Sequence, residues 1–196
     1  MITIKHRENF GMLLNELGCE GAGIEIGVAS AKFSRKWIPK CNLTEIYLVD
    51  AWKEWGPGEY KDGNNLEQQI QDQRYEDVKN LMAELHGDRV KVVRKLSNEA
   101  AKDFSDDYFD FVYIDANHSY GAVCEDLELW YPKVKTGAVF AGHDYRNIVG
   151  KKANRFGEVS ICGVLTAVDE FCEKIGKEVI ATEPRRRDPS SWYFIK

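Results

Sequence analysis

Two short segments of the sequence gather groups that can move protons. The first, FDFVYIDANHSY at 109–120, climbs through apolar and aromatic side chains and then stops at Asp115, with Asn117 and His118 close behind. An imidazole whose ordinary pKa is about 6.5 suits proton transfer near neutrality. His118 therefore reads either as an exposed turn residue or as a general base or substrate contact. The second segment, GAVFAGHDY at 137–145, ends an apolar run in His143, Asp144 and Tyr145. A capped turn accounts for that pair, and so does His143 acting as a general base. A third segment, EIGVAS at 25–30, places Gly27 where a tight turn lets a ligand approach the backbone. Asp50 follows at the end of EIYLVDA (45–51), where a carboxylate can accept two hydrogen bonds from a ribose diol.

These residues converge only if the elements that carry them lie side by side. Phe10, Leu13, Leu14 and Leu17 recur at helical spacing, and Gly18 closes that first helix. Apolar runs at 22–28, 45–51, 89–93, 109–115 and 138–144 read as strands. Helical patterns fall at 31–38, across Leu66–Leu85, at 98–104, along Val123–Val134 and along Val164–Ile175. EVIAT (178–182) and SWYFI (191–195) are two final strands joined by a loop without a helix, which suits antiparallel pairing. Alternating strands and helices with near-continuous apolar strands predict a mostly parallel, doubly wound α/β sheet covered on both faces. Ligands in such sheets bind beyond the carboxyl ends of the strands. Asp50, Lys95, Ser97, Asp115, His118, His143 and Asp144 all follow strands, so all belong to that one rim.

Bulk properties narrow the class. A chain of 196 residues with 43% apolar and 30% charged residues suits one globular domain spanning 1–196. A formal net charge of −5 gives no electrostatic reason to expect a nucleic-acid partner, and Arg185–Arg187 between two prolines reads as a solvated loop. No apolar run approaches the roughly 18–20 residues that span a bilayer. The N-terminus lacks the apolar core of a signal peptide. Five scattered cysteines without a C-x-x-C pair support neither a disulfide framework nor a zinc knuckle, so a reducing cytoplasm is the expected location. Two polar stretches, 53–64 and 145–160, are expected to be active-site loops beside the N-terminal helix at 1–20. Exposed aromatics such as Trp55 or Tyr60 suit an interface in a homo-oligomer.

From about residue 20 to the end, these motifs resemble class I S-adenosylmethionine-dependent methyltransferases. The likeness is closest to small-molecule O-methyltransferases that include metal-dependent enzymes acting on sugars of macrolide and aminocoumarin antibiotics. Glu25, Gly27 and Ser34 match the family's E-x-G-x-x-x-G-x-x-S pattern, whereas Ala31 stands where its second glycine is usual. The resemblance implies a Rossmann-like seven-stranded sheet with an antiparallel C-terminal strand. It implies Glu25, Gly27, Ser34, Asp50, Ser97 and Asp115 as the S-adenosylmethionine-binding residues. It also implies Asp115, His143 and Asp144 as ligands of a divalent metal such as Mg or Mn. His143 takes a place usually filled by Asp or Glu, which leaves a second reading, a general base with no metal. Asp115, His118 and His143 are then the candidate catalytic residues, and the acceptor is a small hydroxylated molecule.

Two other functions share parts of this pattern. An NAD-dependent oxidoreductase would use the same first turn and ribose carboxylate, but two glycines of its G-x-G-x-x-G fingerprint are missing. A non-catalytic binding protein of the methyltransferase fold would explain Ala31 and His143.

Overall fold

The computed structural model describes residues 3–56, 63–148, 162–186 and 188–196. Nine strands occur among them: β1 Ala22–Ile26, β2 Glu45–Asp50, β3 Val90–Arg94, β4 Phe109–Ile114, β5 Val134–Gly142, β6 Asn147–Ile148, β7 Cys162–Gly163, β8 Ile180–Ala181 and β9 Trp192–Ile195. The helices are α1 Phe10–Glu16, α2 Ser34–Trp37, α3 Gln68–His86, α4 Ser97–Ala100, α5 Tyr120–Trp130 and α6 Val164–Ile175. Seven strands form one sheet in the order β3-β2-β1-β4-β5-β9-β8, with β6 and β7 in a separate small ribbon. β1 to β5 pair in parallel, whereas β9 runs antiparallel to both β5 and β8. The doubly wound sheet expected from the sequence is therefore present, with its mixed edge at the C-terminal end.

The two faces of the sheet carry separate cores. On one side Ile24, Ile26, Val112 and Ile114 pack with Val123, Leu127 and Trp130 of α5 and Val168 and Phe171 of α6. On the other, Phe111 and Tyr113 pack with Phe10, Leu13 and Leu14 of α1, Trp37 of α2, and Val78 and Met82 of α3. Alternate residues of β4 thus feed opposite cores, as the two-residue period of a strand requires. Phe109 breaks that alternation because the register of β4 against β5 shifts between Phe109 and Phe111.

Local chemistry moves several boundaries. The helical face drawn from Val123 to Val134 ends at Trp130, and Val134 opens β5 instead. Pro132 is the reason: it cannot donate into a continuing helix, and Tyr131–Lys133 tightens into a 3-10 turn. Pro39 sits likewise inside a 3-10 turn, Ile38–Lys40, rather than stopping the chain before it. The expected strand 178–182 shrinks to Ile180–Ala181. Much of both candidate loops, with Tyr60, Lys151, Lys152 and Arg155, lies outside the described residues, as does Arg187. Among the described residues no helix is long and apolar enough to cross a membrane.

Parallel pairing continues one residue past each strand on the carboxyl side. Gly27 donates to the Val49 carbonyl at 2.8 Å, Asp115 to Ile26 at 2.7 Å and His143 to Ile114 at 2.9 Å. Those ladder bonds set Asp50, Gly27, Asp115 and His143 in one row across the rim.

Gly142, the last residue of β5, is held where a methyl group has no room. A β-carbon there would meet the Trp192 ring at 2.5 Å and the Ile114 carbonyl oxygen at 2.7 Å. Gly121, in the first turn of α5, would meet nothing within 4 Å. Gly142→Ala is expected to lower unfolding free energy by about 1–3 kcal/mol through overpacking, and Gly121→Ala to raise it by about 0.5 kcal/mol. Urea denaturation of both variants checks the pair, and equal effects would contradict the packing.

Candidate active site

The rim opens on a cleft of about 250 Å³ lined by Gly27, Asp50, Ser97 and Asp115, with Trp55 and Asp126 among its other walls. Gly27 adopts φ +89°, and a β-carbon on it would stand 2.0 Å from the Asp115 carbonyl oxygen. Only glycine can turn the chain so close to the end of β4. The Asp50 carboxylate fastens the same turn. Its Oδ2 accepts from the amides of Val28 and Ala29, each at 2.8 Å, and its Oδ1 accepts from Trp52 at 2.9 Å. Asp50 thus fixes the backbone that forms the cleft floor, with its side chain at the cleft wall.

Glu25 and Ser34 lie beneath this cleft rather than along it. Glu25 is buried and accepts from Trp37 Nε1 at 2.8 Å. Burial pushes its pKa up to about 8, against the opposing influence of Trp37 and the adjacent Ser34 hydroxyl. Ala31 is also buried and takes φ +55°, a conformation that glycine adopts without strain. Its methyl group does not line the cleft, so the departure from the usual glycine leaves ligand space intact. Trp52 is a core residue at φ +39°, held by its indole N–H on the Ala29 carbonyl at 2.9 Å and packed against Tyr75.

At the far end of the cleft, Ser97 is the first residue of α4 rather than its cap. Its hydroxyl donates to Asp126 and accepts from Trp130 Nε1, the latter at 2.9 Å. Asp126 is buried, and desolvation lifts its pKa to about 6 despite the serine contact. The sequence reading overlooked Asp126. It sits three residues after Val123 and beside Leu127, so a carboxylate on the apolar face of α5 was the available signal.

Beyond Asp115 the second half of the site is a lattice of charges. His118 Nε2 lies 3.3 Å from Asp115 Oδ1 and 3.3 Å from Asp144 Oδ2. His143 Nδ1 reaches the same two oxygens at 3.5 and 3.4 Å, and its Nε2 lies 3.2 Å from Asp188. Arg7 spans Asp115 at 3.2 Å and Asp188 at 2.7 Å, while Arg146 holds Asp144 at 2.7 Å. Arg7 and Asp188 come from opposite ends of the chain, and neither was expected here. Burial works against charge on Asp115, but His143 and His118 override it and hold the carboxyl well below its usual range. Burial likewise opposes charge on His143, yet Asp115 and its neighbours hold the imidazole protonated far above its usual range.

Asp115, His118 and Asp144 form the one cluster among the described residues whose potential ligand atoms all lie within 4.8 Å of one another. His143 backs that cluster, its side chain 7% exposed against 21% for His118. Asp144 takes φ +51°, a strained setting that an Asp tolerates better than most residues and that turns its carboxylate toward both imidazoles.

This geometry can be set beside known proteins. A family profile described as a methyltransferase domain matches residues 23–145. The chain belongs to that family. It is an S-adenosylmethionine-dependent methyltransferase with the class I fold, as the motif resemblance implied. No curated protein matches it in sequence. Among solved structures, it resembles the O-methyltransferase NovP at TM-score 0.64 and 15% identity, covering 97% of this chain and 77% of that one. An O-methyltransferase from Bacillus cereus, solved in complex with SAH, gives 0.60 and 17%, covering 100% and 83%. A SAM-dependent methyltransferase from Leishmania major gives 0.63 and 12%, covering 97% and 71%. At such identities the structures establish a shared fold.

The buried Glu25 of this methyltransferase generates a pH dependence. Its folded pKa lies above the unfolded value, so between pH 4.5 and about 8 the folded state keeps a proton that the unfolded chain has lost. Stability must then fall as pH rises through that window, by up to about 1.4 kcal/mol per unit. Glu25→Gln keeps an acceptor for Trp37 and removes the proton, so its unfolding free energy is expected to be flatter than wild type between pH 6.5 and 8. Parallel slopes for the two proteins would show that Glu25 is ionised in the fold.

Proposed function

We propose that this methyltransferase methylates a hydroxyl oxygen of a small acceptor, and that Asp115, His118 and Asp144 hold a divalent ion beside the donor. The observation that carries the reading is the row of strand ends. It brings a glycine turn and a ribose-type carboxylate into one cleft and sets a carboxylate–imidazole cluster at its margin. The sheet order also argues against an NAD enzyme. The antiparallel β9 inserted between β5 and β8 departs from the 3-2-1-4-5-6 order of dinucleotide-binding sheets.

The residues fit both groups. Gly27, Asp50, Ser97 and Asp115 line a cleft at the carboxyl ends of β1, β2 and β4, where such sheets take nucleosides. Ser97 with Asp126 offers a polar end suited to the nucleoside, and Asp50 offers a carboxylate to its ribose. Two carboxylates and one imidazole suit Mn-type ions better than Mg, which prefers oxygen throughout. In this assignment His118 replaces His143 as the nitrogen ligand, because it belongs to the compact ligand cluster and is more exposed than the buried His143, which also faces Asp188. His143 and Arg7 then act as fixed cations that keep Asp115 ionised.

S-Adenosylmethionine supplies an electrophilic methyl on sulfur, and a bound divalent ion supplies the acidity that makes a hydroxyl easier to deprotonate. The chain contributes alignment, which in well-oriented systems is worth effective molarities up to ~10⁵–10⁸ M. Transfer forms the oxygen–carbon bond as the carbon–sulfur bond breaks, and its electron pair stays on sulfur. The hydroxyl proton leaves to the carboxylate–imidazole cluster. His118 Nε2 can be the accepting atom only when its imidazole is neutral, that is, when neither an ion nor the proton it shares with Asp115 occupies that nitrogen.

Three measurements test this reading. Calorimetry is expected to show S-adenosylhomocysteine binding that Asp50→Ala weakens by roughly 10- to 100-fold, from loss of charge-assisted hydrogen bonds that hold the turn. Chelation should abolish turnover on hydroxylated acceptors, with Mn²⁺ restoring it better than Mg²⁺. Asp144→Ala is expected to cut kcat by about 10²–10⁴ while leaving S-adenosylhomocysteine affinity in place. Full activity after chelation would leave His118 as the base and remove the metal from the reading.

A further inference from the structure

A second cleft, of about 640 Å³, opens on the other side of the charge lattice and is lined by Arg7, Lys32, Phe33, Lys36, Arg185, Arg186 and Asp188. We propose that this cleft is the acceptor subsite for a phosphoryl group, so that the methylated molecule is a phosphorylated hydroxyl compound. The proposal rests on the methyltransferase reading above and names the substrate class for that same site.

Five cations meet here in a chain whose net charge is −5. Local charge so opposed to the global balance is not what a merely solvated surface needs, and it raises the concentration of anions at the cleft. Three separate parts of the fold supply it. Arg7 comes from the N-terminal segment, Lys32 from just before α2 and Lys36 from within it, and Arg185 and Arg186 from the link between β8 and β9. That link is a built hairpin: Arg185 donates to the Asp188 carbonyl at 2.7 Å, and Asp188 returns a bond to Arg185 at 3.1 Å. Arg185 and Arg186 stay exposed, as a solvated loop would have them, while the backbone pairing gives their turn a defined shape beside the cleft.

The cations are unequally committed. Lys36 and Arg185 share Glu8, at 2.6 and 3.1 Å. Arg7 is occupied by Asp115 and Asp188 and lies over the Phe33 ring, 4.8 Å from its centroid. Lys32 and Arg186 line the cleft with no ion pair or hydrogen bond to other described residues. Two uncommitted cations flanked by two that share one carboxylate exceed what a single carboxylate would neutralise. They suit a tetrahedral dianion that accepts from several donors at once. Phe33 gives this cleft an apolar floor.

Position links the cleft to the chemistry. Arg7 and Asp188 line it, while Arg7 touches Asp115 and Asp188 faces His143. The Arg7–Asp115 ion pair stands between the two clefts, so a molecule anchored beyond Arg7 by its phosphoryl group would present its hydroxyl toward Asp115.

The test uses the full chain and inorganic phosphate as probe, with acetate at matched ionic strength as the carboxylate arm. Calorimetric titration in the presence of S-adenosylhomocysteine is expected to show phosphate binding and at least tenfold weaker acetate binding. The Lys32→Glu/Arg186→Glu variant, altered only at exposed side chains, should weaken phosphate at least tenfold with S-adenosylhomocysteine affinity as the internal reference. Phosphate binding unchanged in that variant, or absent from the wild-type protein, would overturn the subsite. Equal affinity for acetate would overturn the phosphoryl assignment. Failure of S-adenosylhomocysteine itself to bind would instead strike the donor reading, which the phosphate arm does not measure.

Discussion

The contact on which the site depends is the approach of the β1 turn to the end of β4. With the Asp115 carbonyl 2.0 Å from where a β-carbon of Gly27 would stand, no other residue permits the spacing. The bond from Asp115 N–H to the Ile26 carbonyl locks it. From that contact the parallel register carries outward to Asp50 on one side and His143 on the other. Had the turn been wider, Asp50 could not have reached two consecutive amides of the Val28–Ala29 backbone. The cleft floor and the acidic cluster are thus positioned by main-chain geometry, with side chains fastening what the ladder has set.

Such a cluster is electrostatically expensive. Asp115, Asp144 and Asp188 would repel one another in a partly desolvated rim, and burial alone would push their protons back on. The fold answers with His143, Arg7 and Arg146, each aimed at a carboxylate. Pairs of this kind seldom add net stability, because desolvation offsets much of the attraction. Their presence fits the proposed function better than stability: they keep three carboxylates ionised side by side at the rim. The strained φ of Asp144 fits the same account, since strain persists only where surrounding contacts overdetermine it.

The sheet and its rim were legible in the sequence because both follow from local pattern. Apolar runs such as FVYI announce strands by composition, and a polar residue ending each run marks the rim whatever the tertiary detail. Pro132 also carried a legible signal, a helix stop, which the apolar spacing of Val134 obscured. What the sequence could not display was contact between its ends. Nothing in KHREN announces that Arg7 will meet Asp115, 108 residues away. The hairpin that delivers Asp188 depends on pairing within a loop that reads as polar and irregular. The roles of His118 and His143 differ for a similar reason. They resemble one another as residues following strands, and only the burial of one and the position of Asp188 separate them.

Asp50 shows how closely structural and ligand roles overlap in this rim. Its three backbone bonds would justify the residue in a protein that bound nothing, since they tie the glycine turn to β2. Yet a carboxylate has more acceptor capacity than three amides fill, and its side chain lines the cleft. Under the proposed donor reading, a ribose would meet there a carboxylate already immobilised, and binding would order no side chain. The same economy holds for Ser97, whose hydroxyl is fixed between Asp126 and Trp130 before any ligand arrives. A cleft whose polar groups are pinned by the fold discriminates by shape and donor placement. The less constrained groups lie in the second cleft, where Arg186 and Lys32 stand without protein partners among the described residues, and the proposed acceptor subsite would place selectivity there.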